Sequence, residues 1–85
     1  MLYAMSRQPM DPIFNRLEEV RLERGLTRQD LATLAGVHYQ TIGYLERGEY
    51  SPSLALALRI AEELELAVGE IFSLTPFRKV KAHAR

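Results

Sequence analysis

Residues 27–49 read TRQDLATLAGVHYQTIGYLERGE, and this stretch decides the fold. It divides into two runs with helical patterning, residues 28–35 and residues 39–47, which are separated by a glycine at position 36. Glycine adopts a positive φ at no steric cost, so Gly36 predicts a sharp turn that ends the first run. A second glycine, Gly48, ends the second run. The stretch therefore predicts two short helices joined by a tight turn.

The start and the interior of this helix pair support the same prediction. Thr27 is followed three residues later by Asp30, which resembles the capping box that opens a helix. Ala32 is small at a point where the two helices must approach each other closely. The apolar residues that would form the shared core are Leu31, Ala35, Val37, Ile42 and Leu45. Two short helices joined by about three residues, with a glycine in the turn, form the helix-turn-helix arrangement.

The residues before this pair predict a first helix from about residue 11 to residue 24. Asp11 is a suitable N-cap, Pro12 suits the first helical position, and Gly25 follows as a stop. The apolar stripe recurs at helical spacing, and it consists of Ile13, Phe14, Leu17 and Val20.

Two further helices are predicted after the pair. Ser51 is expected to cap the fourth helix, with Pro52 in its first turn, and a short fifth helix is expected over residues 68–74. The expected buried residues are Leu54, Leu56, Leu58, Ile60, Ala61 and Leu64 in the fourth helix, and Val68, Ile71 and Phe72 in the fifth. Because no alternating strand pattern or hairpin turn is evident, the sequence predicts an all-α fold of five helices.

Charge is unevenly distributed along the chain. The 85 residues carry 11 Lys and Arg and 11 Asp and Glu, a formal net charge of zero. Residues 75–85 hold four basic residues and no acidic one, which leaves a formal charge of −4 on the other 74 residues. We therefore divide the chain into a flexible N-terminal segment (residues 1–10), a helical domain (residues 11–74) and a basic tail (residues 75–85). A strongly basic domain is the usual footprint of a nucleic-acid binder, so DNA binding by this domain would need a local basic face.

Composition excludes several function classes. The chain has no cysteine and two histidines, His38 and His83, with no cluster of Asp, Glu and His at a ligand or triad spacing. An enzyme is therefore not expected, and no metal, cofactor or small-molecule ligand is evident. No apolar run approaches the roughly 20 residues of a membrane span, and the N-terminus lacks an apolar segment long enough for a secretory signal. The sequence predicts a soluble, cytoplasmic protein with no membrane partner.

Three sequence motifs within residues 15–74 are specific enough, in their combination and spacing, to indicate a family. They are LTRQDLATLAGV, TIGYLERGEYSPSL and LALRIAEELELAVGEIF. They resemble the phage repressor and Cro-like (Xre-type) family of helix-turn-helix regulators. The resemblance implies a compact, lambda-repressor-like bundle of five helices whose third helix enters the major groove of DNA. It also implies a small transcriptional regulator, expected to be a repressor, that binds a double-stranded DNA operator sequence-specifically and as a homodimer.

Polar and aromatic residues of the third helix are the candidate base contacts. Gln40, Tyr44 and Arg47 are spaced at i, i+4 and i+7, so they share the face opposite the apolar one. Gln can bind adenine through two hydrogen bonds, and Tyr can reach a base edge or a phosphate. Gly43 costs a helix interior about 1 kcal/mol relative to alanine, and we interpret it as allowing close approach to DNA. The predicted base contacts are Tyr39, Gln40, Gly43 and Tyr44.

Other residues are predicted to position the protein or to hold its fold. Arg28 and the backbone N–H groups at the start of the second helix are placed to bind a phosphate through charge and the helix dipole. The predicted phosphate contacts are Arg28, Gln29, Thr41 and Arg47. The resemblance implies that Arg21 and Glu46 form a structural pair that ties the first helix to the end of the third. It also implies that His38 caps the third helix, and we class Ala32 and Gly36 as structural.

The C-terminal end of the domain is more apolar than a short terminal helix needs. We therefore predict a symmetric dimer built on the fifth helix and the segment after it. The predicted interface consists of Leu66, Ile71, Leu74 and Phe77, with the last two nearest the partner. A monomer that pairs only on DNA is the alternative, since a patch of this size is small for a stable interface.

Two other functions use the same fold, and neither is eliminated by the sequence. A DNA-binding antitoxin would need a toxin-binding segment, for which the basic tail is a short candidate. A protein-interaction module would lack polar groups on its third helix, and here Gln40, Thr41 and Arg47 are present. A transcriptional regulator is therefore the favoured interpretation. Tyr39 and Tyr44 also have an alternative role, which is packing against the loop that follows the third helix.

Overall fold

The computed structural model describes residues 12–77, and this part of the chain is mostly helical. None of the helices described is long and apolar enough to cross a membrane. The predictions for residues 1–11 and 78–85, including the Asp11 cap and the basic residues of the tail, lie outside the described range. The elements in chain order are β1 (Phe14–Asn15), α1 (Leu17–Glu23), α2 (Arg28–Ala35), α3 (Tyr39–Glu46), α4 (Leu54–Leu64), a 3-10 turn (Val68–Glu70) and β2 (Phe72–Ser73).

Helices α2 and α3 begin and end at their local signals. The side chain of Thr27 accepts a hydrogen bond from Asp30 N and the side chain of Asp30 accepts one from Thr27 N, both at 2.9 Å, so the predicted capping box is confirmed. Gly36 has a φ of 76° and ends α2 as predicted. His38 Nδ1 accepts a hydrogen bond from Gln40 N at 3.1 Å and thereby caps α3. Helix α3 ends one residue earlier than predicted, because Arg47 is its C-cap.

Helix α1 is shorter than predicted. The expected helix from residue 11 is wrong, because Phe14 lies in a strand and the helix begins only at Leu17. Asn15 Oδ1 accepts a hydrogen bond from Leu17 N at 2.8 Å, so a side chain just before the helix satisfies one of its free N–H groups. The stop at Gly25 is confirmed, with a φ of 71°.

A small antiparallel sheet joins the two ends of the described chain. Phe14 pairs with Ser73 and Asn15 pairs with Phe72. The prediction of an all-α fold with five helices is therefore wrong in detail: the described part has four α-helices, and a 3-10 turn and β2 replace the expected fifth helix. Each strand is only two residues long, too short to show the alternation by which strands are recognised in a sequence.

Helix α4 begins later than predicted and buries a different face. Its N-cap is Ser53, whose Oγ accepts a hydrogen bond from Leu56 N at 3.1 Å, so the predicted cap at Ser51 is wrong. Leu54 is 73% exposed and Leu58 is 50% exposed, so the prediction that both are buried is also wrong. The buried residues of this helix are Leu56, Ala57, Ile60, Ala61 and Leu64.

The hydrophobic core joins all four helices to the C-terminal turn. Ile71, which follows the 3-10 turn, is fully buried and closes the core. Val68 and Phe72 pack against it but remain partly exposed. Among the described residues the buried core cluster consists of Leu17, Val20, Leu31, Ala32, Ala35, Ile42, Leu45, Leu56, Ile60, Ala61, Leu64 and Ile71. Helices α2 and α3 share this core, so their mutual orientation is fixed by packing and α3 keeps one face free.

Candidate nucleic-acid interface

The outward face of α3 and the start of α2 form a shallow concavity. Tyr39 and Tyr44 are both nearly half exposed on this face, and Gln40 is exposed between them. The residues that line the concavity are Arg28, Tyr39, Gln40, Gly43, Tyr44 and Arg47. The fold thus brings the four predicted base contacts together with two of the four predicted phosphate contacts. A surface with amide, phenol and guanidinium groups offers hydrogen bonds and stacking planes to a nucleic acid.

The aromatic ring of Tyr39 is held at the start of α3. It stacks on the His38 imidazole, with the ring centroids 4.7 Å apart and the planes inclined by 27°. His38 is itself fixed by the hydrogen bond that its Nδ1 accepts from Gln40 N. The cap of the helix therefore also restricts the orientation of one of its candidate contact residues.

The remaining two predicted phosphate contacts lie outside this concavity. Gln29 is exposed on α2, where its Nε2 donates a hydrogen bond to Thr33 Oγ1 at 3.3 Å. Thr41 is half-buried in the first turn of α3, and its backbone N–H donates to His38 O at 2.9 Å. Neither side chain belongs to the lining of the concavity, so a contact from either would be made at its margin.

Glu46, the last residue of α3, is an anionic centre held between two arginines. Its side chain is 1% exposed, and Arg21 Nε lies 2.6 Å from Glu46 Oε2. Arg28 Nε lies 2.9 Å from Glu46 Oε1. Arg21 is also nearly buried, and its Nη1 donates to Leu26 O at 2.8 Å. The pair that the family resemblance implied is thus part of a three-residue network, which ties α1, α2 and α3 together.

The position of Arg28 is set by this network. Its side chain is 42% exposed, so one edge is anchored on Glu46 while the rest is open to solvent. The hydrogen bond with Glu46, followed by the Coulombic attraction of Glu46 and a smaller one from Glu18, raises the pKa of Arg28 above its usual value. Arg28 therefore stays protonated throughout the accessible pH range. No signal in the local sequence links Arg28 to Glu46, because the two residues are 18 positions apart.

Asn15 is a positioning residue that sequence reasoning missed. Its Nδ2 donates a hydrogen bond to Leu45 O at 2.9 Å, while its Oδ1 accepts one from Leu17 N, the first N–H of α1. One side chain therefore fixes the start of α1 against the last turn of α3. Asn15 precedes the N-cap, Arg16, so the usual cap signal does not identify its first role. The second role depends on a contact across 30 residues and has no local signature.

The predicted dimer residues differ in accessibility. Leu74 is 63% exposed, and Leu66 and Phe77 are half-buried. Phe77 lies under the Arg16 guanidinium, 5.7 Å from its ring centroid. Ile71 is fully buried in the core, so its assignment to an exposed interface is wrong.

Within residues 12–77 no three His, Cys, Asp or Glu side chains are placed to hold a metal ion. The site is therefore defined by hydrogen-bonding, aromatic and cationic groups. The sequence model of the helix-turn-helix family HTH_3 matches residues 17–71, which is more than half of the chain. The chain belongs to this family. The matched segment of this HTH_3 protein begins at α1, ends at Ile71, and includes the whole concavity on α3.

Proteins of similar sequence and structure agree with this assignment. An uncharacterized HTH-type transcriptional regulator of Methanocaldococcus jannaschii is 43% identical over 58 residues, which cover 68% of this chain and 88% of that protein. The uncharacterized HTH-type transcriptional regulator YgzD of Bacillus subtilis is 35% identical over 60 residues, 71% of this chain and 91% of that protein. The restriction-modification controller protein C.AhdI of Aeromonas hydrophila has a similar structure, with a TM-score of 0.62 and 36% identity; the similarity covers 65% of this chain and 83% of that one.

Proposed function

We propose that this HTH_3 protein is a transcriptional regulator that binds double-stranded DNA sequence-specifically, with α3 in the major groove. The observation that carries the proposal is the exposed amide and aromatic face of α3, bordered by the guanidinium groups of Arg28 and Arg47. The major groove of B-form DNA is wide enough to admit an α-helix. Membership of the HTH_3 family, together with relatives that are named as transcriptional regulators, supports the same conclusion. DNA-binding transcriptional regulators are not a class of enzymes.

Base recognition is assigned to the exposed face of α3. Gln40 projects from the first turn, where recognition helices make their base contacts, and its amide can both donate to and accept from an adenine. Tyr39 and Tyr44 flank it with phenol groups that reach a base edge or a phosphate. Gly43 is itself buried, so it makes room on this face by adding no side chain and offers little backbone surface to a base.

Backbone contacts are assigned to the margin of the same surface. Arg28 is already held by Glu46, so little conformational entropy is lost when its open edge binds a phosphate. Gln29 and Thr41 lie on either side of the α2–α3 turn and are assigned weaker phosphate contacts. Arg47, at the end of α3, completes the predicted set. These contacts would fix the register of α3 in the groove without reading the sequence.

The proposal is tested by selecting binding sites from random duplexes and then comparing three variants on the selected site. Gln40→Ala should weaken binding to this site by about 1–3 kcal/mol and relax the preference at one base pair. Arg28→Gln should weaken binding to all sequences alike and reduce the salt dependence by about one unit of slope. Glu63→Gln, on the exposed side of α4, is the control and should change neither. If Gln40→Ala binds the selected site as tightly as the parent, the assignment of Gln40 to base recognition is wrong.

The proposal includes a homodimer, because a single module buries only about 600–1,000 Å² of protein surface on DNA. Two copies across half-sites about 34 Å apart would supply the missing contacts. Leu74, exposed after β2, is the residue best placed to meet a second copy, and the half-buried Phe77 and Leu66 are further candidates. Leu74→Asp should abolish dimers in sedimentation and cooperativity on DNA. Leu54→Asp, at another exposed leucine, on α4, is the control, and a monomeric parent that binds without cooperativity would refute the dimer.

A further inference from the structure

The side chain of Arg47 folds back across α3 instead of extending away from its end. A Cβ placed on Gly43 would lie 3.2 Å from Arg47 Nη1 and 3.8 Å from Arg47 Nη2. Both terminal nitrogens of the guanidinium therefore rest over the glycine, inside the concavity that Gln40 also lines. Gly43 does not have a positive φ, so the backbone conformation does not require glycine here. The space that it leaves is occupied by the guanidinium.

Two neighbours fix the orientation of this guanidinium. Its central carbon lies 5.4 Å from the centroid of the Tyr44 ring, within the range of a cation–π contact. Arg47 Nε lies 3.2 Å from Glu49 Oε2. The pair is about half exposed and contributes little to stability, but it engages the Nε edge of the guanidinium. The opposite edge, which carries Nη1 and Nη2, is thereby left for a ligand.

This arrangement fits a base edge better than a phosphate. Glu49 offsets the charge of Arg47, whereas Glu46 is shared between Arg28 and Arg21, so an approaching phosphate is attracted less strongly to Arg47 than to Arg28. A guanine edge is neutral, and its O6 and N7 atoms match the fork of a guanidinium through two parallel hydrogen bonds. The location is also suitable, because the guanidinium of Arg47 folds back over Gly43 and lines the same concavity as Gln40.

We propose that Arg47 reads a guanine in the major groove through O6 and N7, and that Gly43, Tyr44 and Glu49 position its guanidinium for this contact. The proposal rests on the proposed function and revises one part of it, since Arg47 becomes a specificity-determining residue and ceases to be a phosphate contact. It also gives a reason for glycine in the interior of α3. A larger residue at position 43 would displace the Arg47 guanidinium, which is the group that contacts the guanine.

The test uses the selected duplex with 7-deazaguanine, which lacks the N7 acceptor, substituted at each guanine in turn. At one guanine per half-site the parent should lose at least about 5-fold in affinity, but less than the roughly 150-fold of a whole bidentate contact, because O6 still accepts one hydrogen bond. Arg47→Ala should bind the unmodified duplex more weakly and lose nothing further at that guanine. Arg28→Ala is the matched control, and it should weaken binding while keeping the full 7-deazaguanine effect.

Gly43→Ala supplies an independent test without removing any hydrogen-bonding group. Its Cβ would lie 3.2 Å from Arg47 Nη1, so the guanidinium must shift by a few tenths of an ångström and the preference at the same guanine should weaken, while thermal unfolding shows a domain at least as stable as the parent. If Arg47→Ala and Gly43→Ala both retain the guanine preference and weaken all sequences alike, Arg47 is a phosphate contact and the inference is overturned. A parent that selects no sequence at all would overturn the proposed function together with it.

Discussion

Glu46 provides the sharpest test of what holds α3 in place. Its carboxylate is 1% exposed and lies between Arg21, whose side chain is 8% exposed, and Arg28, which is 42% exposed. Glu46→Gln keeps the size of the side chain and removes its charge. Two guanidinium groups would then face each other across a neutral amide, and Arg21 would be left buried with Leu26 O as its hydrogen-bond acceptor.

The expected loss follows from the burial of the two partners. Removing one member of a buried ion pair costs about 3–5 kcal/mol, because the other charge is left without compensation. Arg28 is partly exposed, so solvent screens its share of the interaction. We therefore expect Glu46→Gln to lower the free energy of unfolding by about 3 kcal/mol, and Arg28→Gln to be clearly less damaging. For a domain of this size, about 3 kcal/mol lowers Tm by roughly 12–24 °C.

Urea unfolding followed by circular dichroism measures these differences, with Glu63→Gln as the control for losing an exposed carboxylate. The double variant Arg21→Met, Glu46→Leu should recover most of the loss, since apolar residues can replace a buried pair without an uncompensated charge. The reasoning is refuted if Glu46→Gln costs less than about 1 kcal/mol, or if Arg28→Gln is the more damaging change.

Three further predictions concern the ends of the helices. Glu65 ends α4 with a φ of 59°, and Glu65→Gly should raise the free energy of unfolding by about 0.5–1 kcal/mol, measured by urea unfolding, because glycine adopts this conformation without strain. The pKa of Asp30 is lowered below 3.8 by the hydrogen bond from Thr27 N, and secondarily by its side chain. Its carboxylate therefore stabilises the fold above about pH 4, and that contribution is lost as the pH falls through the lowered pKa, so the stability difference between the parent and Asp30→Asn should shrink in acid. Asn15→Ala should cost about 1–3 kcal/mol in the same urea assay, because Leu17 N–H loses its acceptor and Leu45 O keeps only the hydrogen bond from Gly48 N.

Each of these predictions has a distinguishing control. Glu63→Gly, inside α4, should destabilise by about 0.5–1 kcal/mol, so an equal effect at Glu65 would contradict the conformational argument. A difference between the parent and Asp30→Asn that stays constant from about pH 7 to about pH 2 would contradict the capping argument. Asn15→Asp should retain the acceptor for Leu17 N and lose the donor to Leu45 O. If this variant is as stable as the parent, the contact with Leu45 O contributes nothing and the argument is contradicted.

The sequence by itself determined the elements whose ends are marked within a few residues. The capping box at Thr27, the turn at Gly36 and the His38 cap were all predicted correctly, because each depends on hydrogen bonds or a backbone angle within three residues. The resemblance of the same stretch to helix-turn-helix regulators identified the family, and the helical spacing of its polar residues predicted a shared exposed face on α3. The roles of individual contact residues stay predictions.

Only the tertiary structure decided the features that depend on distant partners. Phe14 enters a strand because Ser73 lies opposite it, although the local pattern favoured a helix. Leu54 is exposed and Ile71 is buried, because burial depends on where neighbouring elements lie and apolar residues alone do not specify which face is covered. Arg28 is attached to Glu46 across 18 positions, and this contact, which no short pattern encodes, sets the edge of the candidate DNA-binding surface.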